Sequence, residues 1–200
     1  MQSVESLKVK IFADGADLGG IKKLAQNPII KGFTTNPTLM RKAGIDDYES
    51  FANQVLRIIP DRPVSFEVFA DDVESMADQA RRIASWGSNV NVKIPITNTK
   101  GESCVPLIGK LSSEGVQVNV TAVFTLDQVC NVAEVLAPQT PAIVSVFAGR
   151  IADTGVDPVP MMRDAVKALR TKPKAELIWA SPRELLNVFQ ADEVGCHIIT

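Results

Sequence analysis

The chain has 200 residues, 46% hydrophobic and 22% charged, enough for one globular domain with a buried core. Its 21 Lys and Arg against 23 Asp and Glu leave a formal net charge of −2, without the basic excess of a nucleic-acid binder. Plentiful apolar residues argue against disorder, no apolar run reaches the roughly 20 residues of a membrane span, and Met1–Lys10 lacks the apolar stretch of a secretory leader.

Apolar runs of strand length alternate with amphipathic segments of helix length from one end to the other. Val9–Ala13 predicts the first strand and Asp17–Ala25 the helix after it, with Asp17 as N-cap. Gly32–Thr34 predicts the second strand. The helix at Asp46–Ile58 carries Tyr48, Phe51, Val55 and Ile58 on one apolar stripe. Val64–Phe69 is the third strand, followed by a helix at Asp72–Trp86 whose apolar face is Val73, Met76, Ala80 and Ile83. Val90–Ile94 and the helix Leu107–Glu114 come next, then Val118–Ala122 and the helix Leu126–Leu136 behind a Thr125 N-cap. Ala142–Val146 precedes a helix at Pro158–Leu169, Leu177–Ala180 precedes one at Pro182–Phe189, and Cys196–Ile199 is the eighth strand. Pro158 and Pro182 suit helix starts. No linker or composition shift divides the series, so residues 1–200 read as a single domain. Crossover helices imply parallel strands, and eight such units predict a closed (β/α)8 TIM barrel over an open doubly wound sheet. No helix follows the eighth strand, because the sequence stops at Thr200.

Cys104, Cys130 and Cys196 are odd in number and far apart, which disfavours a disulfide framework or a zinc cluster. Cys130 and Cys196 read as small core residues, and a reducing, cytoplasmic compartment is expected. His197 is the one histidine and lies among apolar residues, so it reads as a packed strand residue. Mechanisms that need two histidines are excluded, and any catalysis falls mainly to Lys, Asp, Glu, Ser, Thr or Arg. Gly15, Gly19 and Gly20 lack the G-x-G-x-x-G spacing of a dinucleotide site.

In a parallel barrel the functional groups gather at the C-terminal strand ends. Seven successive strands deliver polar groups there: Asp14, Thr34 with Asn36, Glu67, Lys93, Asn119 with Thr121, Ser145 with Arg150, and Ser181 with Arg183. Lys93 is the most informative. Asn89, Asn91 and Lys93 alternate with Val90, Val92 and Ile94, so the polar set shares one face, expected to point into the barrel. A desolvated amine there has a lowered pKa and becomes a nucleophile toward a carbonyl, forming a Schiff base. The plainer reading of Lys93 is a lysine snorkelling to solvent. Asp14 and Glu67 share the rim and suit proton transfer, although each alone also suits a cap or a salt bridge. Arg150 and Arg183 suit a grip on phosphate, or equally a solvated loop.

These stretches resemble the transaldolases, Schiff-base enzymes of class I aldolase type on a (β/α)8 barrel. The matching segments are Phe-Ala-Asp14-Gly-Ala-Asp17, Gly-Phe-Thr-Thr-Asn36-Pro-Thr-Leu, Glu67-Val, Val-Lys93-Ile-Pro, Asn119-Val-Thr121, Phe147-Ala-Gly-Arg150-Ile and Ala-Ser181-Pro-Arg183. They run in family order over nearly the whole chain, and Thr-Thr-Asn-Pro and Val-Lys-Ile-Pro are the most specific. The resemblance implies that Lys93 forms the Schiff base with a ketose carbonyl and that Asp14 takes the proton of the donor's C4 hydroxyl. Glu67 and Thr121 would hold and activate a water. Asn36, Asn119 and Ser145 would bind the dihydroxyacetone moiety, with Thr34 and Phe147 lining the same substrate site. Arg150, Ser181 and Arg183 would bind the sugar phosphate. The implied reaction moves dihydroxyacetone from fructose 6-phosphate or sedoheptulose 7-phosphate to an aldose phosphate, in the pentose phosphate pathway. The resemblance implies phosphosugar substrates and a homo-oligomer, with no metal, cofactor, nucleic acid or membrane.

The fructose-6-phosphate aldolases resemble the chain too, but carry Gln where Glu67 stands and Tyr where Phe147 stands. Both positions here are of transaldolase type, which favours transfer over release of dihydroxyacetone. Family members continue past the eighth strand into a helix. The early stop reads either as a C-terminally truncated fragment or as a natural short form, and the natural short form keeps a third reading open, a non-catalytic phosphosugar-binding barrel.

Overall fold

The structure is a computed structural model that describes residues 6–200; Met1–Glu5, part of the segment without an apolar leader, lie outside the described residues. Eight parallel strands close a barrel in chain order. They are β1 (Lys10–Asp14), β2 (Ile30–Thr34), β3 (Val64–Glu67), β4 (Val90–Pro95), β5 (Val118–Val123), β6 (Ala142–Val146), β7 (Ala175–Trp179) and β8 (Ile198–Ile199). Between them run α1 (Leu18–Ala25), α2 (Pro37–Lys42), α3 (Tyr48–Ile58), α4 (Val73–Ala84), α5 (Val105–Ser113), α6 (Leu126–Val135), α7 (Ala148–Asp153), α8 (Pro158–Leu169) and α9 (Leu186–Val194). The expected closed barrel is therefore found, and the open sheet is not. Among the described residues no helix is long and apolar enough to cross a membrane.

The helix starts follow local chemistry. Asp17, Asp47, Asp72 and Asp157 each accept a backbone N–H of the first turn that follows, and Thr125 forms a capping box with Gln128. Two helices were not expected. α2 and α7 are one-and-a-half-turn pieces directly after β2 and β6. The α2 signal lay in the sequence, since Asn36 caps it and Pro37 occupies its first turn. α7 has no side-chain cap, so nothing local announces it. Pro182 does not start a helix, and the last helix is displaced to Leu186–Val194. The side chain of Asn187 accepts the N–H groups of Arg183 and Glu184, which holds the preceding loop in an irregular conformation.

Two apolar layers form the core. The larger lies between the outer face of the barrel and the helices. The smaller plugs the barrel itself with Phe12, Ile143, Ile178, Ala180 and Ile198. Gly32 makes room for this plug, because a Cβ there would lie 2.4 Å from the Phe12 ring. Above the plug the inward positions are polar, and Ser65, Asn91, Lys93, Asn119, Thr121 and Ser145 are all buried. Layers of inward side chains fill such a barrel, so its lower part is solid and its upper part is available for a site.

β8 closes the barrel with two residues, pairing Ile198 with Lys10 and Ile178, and Ile199 with Ile11 and Trp179. Polar contacts extend this short seam downwards. The Lys10 ammonium reaches Glu176 Oε2 at 2.7 Å, and Lys10 N donates to the His197 carbonyl at 2.9 Å. His197 N donates to the Leu177 carbonyl, and Leu177 N returns a bond to His197 Nδ1 at 3.0 Å. The histidine is thus a packed structural residue. Its acceptor role requires an unprotonated Nδ1, and burial pushes its pKa below the ordinary value, outweighing the opposing effect of Glu176.

A pH effect on stability follows. As pH falls below about 6.5 the unfolded chain protonates this histidine while the folded chain resists, so stability declines with acid. The melting temperature of the wild-type chain is expected to fall between about pH 7.5 and about pH 5.5, and that of His197→Gln to fall less. Identical slopes in thermal melts of the two would refute the assignment.

Candidate active site

The site begins with Lys93, in the middle of the inward face of β4. It is 8% exposed. Its Nζ lies 3.1 Å from Glu67 Oε2 and donates to the Thr35 carbonyl at 2.9 Å. The register explains the first contact, because Glu67 of β3 pairs directly with Lys93 of β4. The second arises because Thr35 is the first residue past β2, where the chain turns towards α2. The inward, desolvated amine expected from the sequence is found, and the structure adds a carboxylate and a carbonyl beside it.

Asp14 ends β1 at the rim. Thr34 Oγ1 donates to its Oδ1 at 3.0 Å, and Asn36 Nδ2 donates to its Oδ2 at 3.1 Å. Asn36 is itself immobilised, since its Oδ1 caps α2 by accepting Leu39 N at 2.9 Å. The unexpected helix α2 therefore aims the amide that holds the carboxylate. On the far wall, Ser145 Oγ donates to Asn119 Oδ1 at 2.7 Å, and Asn119 Nδ2 donates to Ser65 Oγ at 3.0 Å. This chain ties β6, β5 and β3 together under the site. Ser65 was not foreseen, although it lies two residues before Glu67 in β3 and so shares its inward face.

These groups open onto one cavity of about 680 Å3 at the C-terminal end of the strands. Ten of the twelve sequence-expected residues line it: Lys93, Asp14, Glu67, Thr121, Thr34, Asn36, Ser145, Phe147, Arg150 and Ser181. Asn119 and Arg183 do not. Asn119 is wholly buried beneath the floor, with its amide committed to Ser65 and Ser145. Arg183 is exposed behind the rim, forking onto Asp153 with Nε–Oδ1 at 2.9 Å and Nη2–Oδ2 at 2.5 Å. The Asp153 carboxyl is held below the usual carboxylate range by that guanidinium. Arg183 Nη1 also donates to the Ser181 carbonyl at 2.9 Å.

The rim carries two departures from ordinary backbone. Ala122 has φ of +57° beside a register shift between Val120 and Val123, and Ser181 has φ of +58°. Such conformations cost energy in residues with a Cβ and concentrate at functional sites. The Ser181 turn is packed so closely on α7 that a Cβ at Gly149 would lie 1.6 Å from the Ser181 carbonyl oxygen. Gly149 N also donates to the Ala180 carbonyl at 3.2 Å. Glycine is thus required where α7 meets β7. The same short helix carries Arg150, whose guanidinium lies 5.3 Å from the centre of the Phe147 ring. Phe124 packs edge-on against Phe147 at 5.5 Å.

Chemically, the cavity combines a buried amine, two carboxylates, several hydroxyl and amide groups, and a cation at the outer edge. Solved structures of the same shape include 2,3-dimethylmalate lyase, a PEP mutase/isocitrate lyase superfamily member. It superposes with a TM-score of 0.67 over 98% of this chain and 76% of its own, at 12% identity, which concerns the fold alone. Sequence relatives are more informative. A protein of Dehalococcoides mccartyi described as "Probable transaldolase" is 39% identical over 193 residues, covering 96% of this chain and 86% of the relative. A "Probable transaldolase 2" of Listeria monocytogenes is 35% identical over 193 residues, covering 96% and 84%. One from Nitrosopumilus maritimus is 35% identical over 194 residues, covering 96% and 83%. Residues 11–200 match the model of the family described as Transaldolase/Fructose-6-phosphate aldolase, and the chain belongs to that family.

Proposed function

We propose that this protein is a transaldolase that moves a dihydroxyacetone unit from a ketose phosphate to an aldose phosphate through a Schiff base on Lys93. The observation that carries this reading is the buried Lys93 amine, 3.1 Å from the Glu67 carboxylate, in the cavity that Asp14 also lines. Glu67 takes a proton from the ammonium, and the freed amine attacks C2 of the ketose. The former carbonyl oxygen is protonated and leaves as water, giving an iminium. Asp14 then takes the C4 hydroxyl proton as the C3–C4 electron pair moves into the iminium. The aldose phosphate departs and leaves an enamine on Lys93. That enamine adds to the aldehyde of the acceptor, Asp14 returns its proton, and water releases the new ketose. Glu67 and Thr121 serve the water steps.

Arg150 and Ser181 face the cavity and would meet the phosphate directly. Arg183, tied to Asp153 and to the Ser181 carbonyl, would support the turn that presents Ser181. Ser145 would bind the dihydroxyacetone unit, with Asn119 orienting it from below. The reading includes a cytoplasmic location and a homo-oligomeric assembly.

The family description spans two activities, and Glu67 with Phe147 supports transfer over the aldolase reaction. Phe147 offers an apolar ring in contact with Phe124 and Arg150, with no hydroxyl to hold a water near the enamine. Borohydride added with fructose 6-phosphate is expected to trap a covalent adduct that peptide mass mapping places on Lys93. Folded protein that gains no adduct would sink the Schiff-base reading. Free dihydroxyacetone released as fast without erythrose 4-phosphate as with it would replace transfer by the aldolase reaction.

A further inference from the structure

We infer that Tyr48 is a positioning residue for Glu67, substituting for a strand that ends one step too early. The argument starts from the β2–β3 seam. In that seam Phe33 N donates to the Pro63 carbonyl and Thr35 N donates to the Ser65 carbonyl. The next β3 residue facing β2 is Glu67, but the chain has by then reached Asn36 and Pro37 and turned into α2. Proline has no N–H to continue the ladder. Glu67 would therefore present a backbone N–H and a carbonyl to an empty edge, at the residue whose side chain meets Lys93.

One hydroxyl satisfies both groups. Glu67 N donates to Tyr48 Oη at 2.7 Å, and Tyr48 Oη donates to the Glu67 carbonyl at 2.9 Å. Tyr48 opens α3, the helix that crosses from β2 to β3, so topology alone brings it over this gap. Its ring is gripped edge-on by Phe66 at 6.1 Å, Phe69 at 4.8 Å and Trp86 at 5.3 Å, and its hydroxyl also lies within reach of the Thr35 side chain across the same seam. Burial, with the Glu67 charge adding to it, keeps the phenol well above its ordinary pKa, so it stays a donor at working pH. The strand end beyond is held differently. Gln79 Oε1 accepts Phe69 N at 2.8 Å and Ala70 N at 2.9 Å without touching Glu67.

The consequence falls on the reacting pair. Lys93 is anchored by its own strand and by Thr35, whereas Glu67 is the last residue of β3, paired with β4 on one side and held by Tyr48 on the side that β2 leaves open. Loss of the hydroxyl frees the Glu67 peptide to move, and a carboxylate displaced by a fraction of an ångström transfers protons to the amine less well. The inference rests on the Schiff-base reading of Lys93.

Tyr48→Phe is expected to slow borohydride trapping of fructose 6-phosphate by about tenfold or more and to shift the pH profile of trapping, with a smaller change in KM. Gln79→Ala is the structural control. It should lower the melting temperature while leaving the trapping rate and its pH profile in place. Tyr48 is the one tyrosine of the chain, so biosynthetic fluorotyrosine alters this hydroxyl alone and tests the same point without removing the ring. It should move the pH profile, and its fluorine resonance should respond when the adduct forms. A wild-type chain that is trapped, with Tyr48→Phe or the fluorotyrosine protein trapped at the same rate and profile, overturns the inference alone. A wild-type chain that is not trapped overturns the reading of Lys93 and the inference with it.

Discussion

Lys93→Met is expected to lower transfer by about 10⁴-fold or more and to abolish the borohydride adduct, because among the described residues no other lysine lines the cavity to replace the nucleophile. The same substitution separates catalysis from stability. It leaves the Glu67 carboxylate, 18% exposed at its side chain, without its cation, and leaves the Thr35 carbonyl without its donor. Removing one member of a buried pair is costly, whereas removing both is far less so. Lys93→Met should therefore lose on the order of 2 kcal/mol in urea unfolding. Lys93→Met combined with Glu67→Gln should regain part of that loss while remaining inactive. Residual turnover in the single variant near the wild-type rate would remove Lys93 from the chemistry.

Asp14→Asn is the second large effect, and its signature is a change of intermediate. An amide at position 14 keeps the shape of the site. Its oxygen can still accept from Asn36, and its NH2 can donate to the Thr34 hydroxyl, which accepts as readily as it donates. What it cannot do is take the C4 hydroxyl proton. Transfer should fall by about 10²–10⁴-fold, the usual worth of a positioned base. Schiff-base formation, which uses Lys93 and Glu67, should continue. With no acceptor present, the wild-type chain should trap the three-carbon unit left after cleavage. Asp14→Asn should instead trap the intact six-carbon ketose phosphate. An Asp14→Asn adduct of three carbons, formed at the wild-type rate, would show that another group breaks the C3–C4 bond.

The two predictions draw on different parts of the molecule, and the parts differ in how they could be read. The eight-fold alternation was visible because its cause is local: inward and outward positions alternate in strands, and apolar stripes recur along helices. The caps Asp17 and Thr125 were equally local, each placed three residues before the N–H it accepts. The polar strand ends were legible too, since a barrel gathers whatever its strands carry at one rim. The closing strand is shorter than the Cys196–Ile199 run in the sequence, because only Ile198 and Ile199 form β8. Its closure depends on Lys10, Glu176, Leu177 and His197, which are scattered over the chain. The helix at α7 and the late start of α9 were missed for different reasons. α7 is set by the close approach of Gly149 to Ser181, which joins distant segments, whereas the late start of α9 is held by Asn187, which reaches back three and four residues to Glu184 and Arg183 in the reverse sense of an N-cap.

By itself, the order of residues determined the fold class and the set of groups available for chemistry. It did so through short-range periodicity and chain-order topology. Tertiary structure decided what those groups do to one another. It gave the Lys93 amine a carboxylate and a carbonyl as neighbours, placed Asn119 beneath the floor and paired Arg183 with Asp153. It also brought Tyr48 to the unpaired edge of Glu67. The physical reason is that hydrogen bonds and ion pairs depend on ångström-scale distance between segments far apart in the chain. Only the closed barrel specifies those distances.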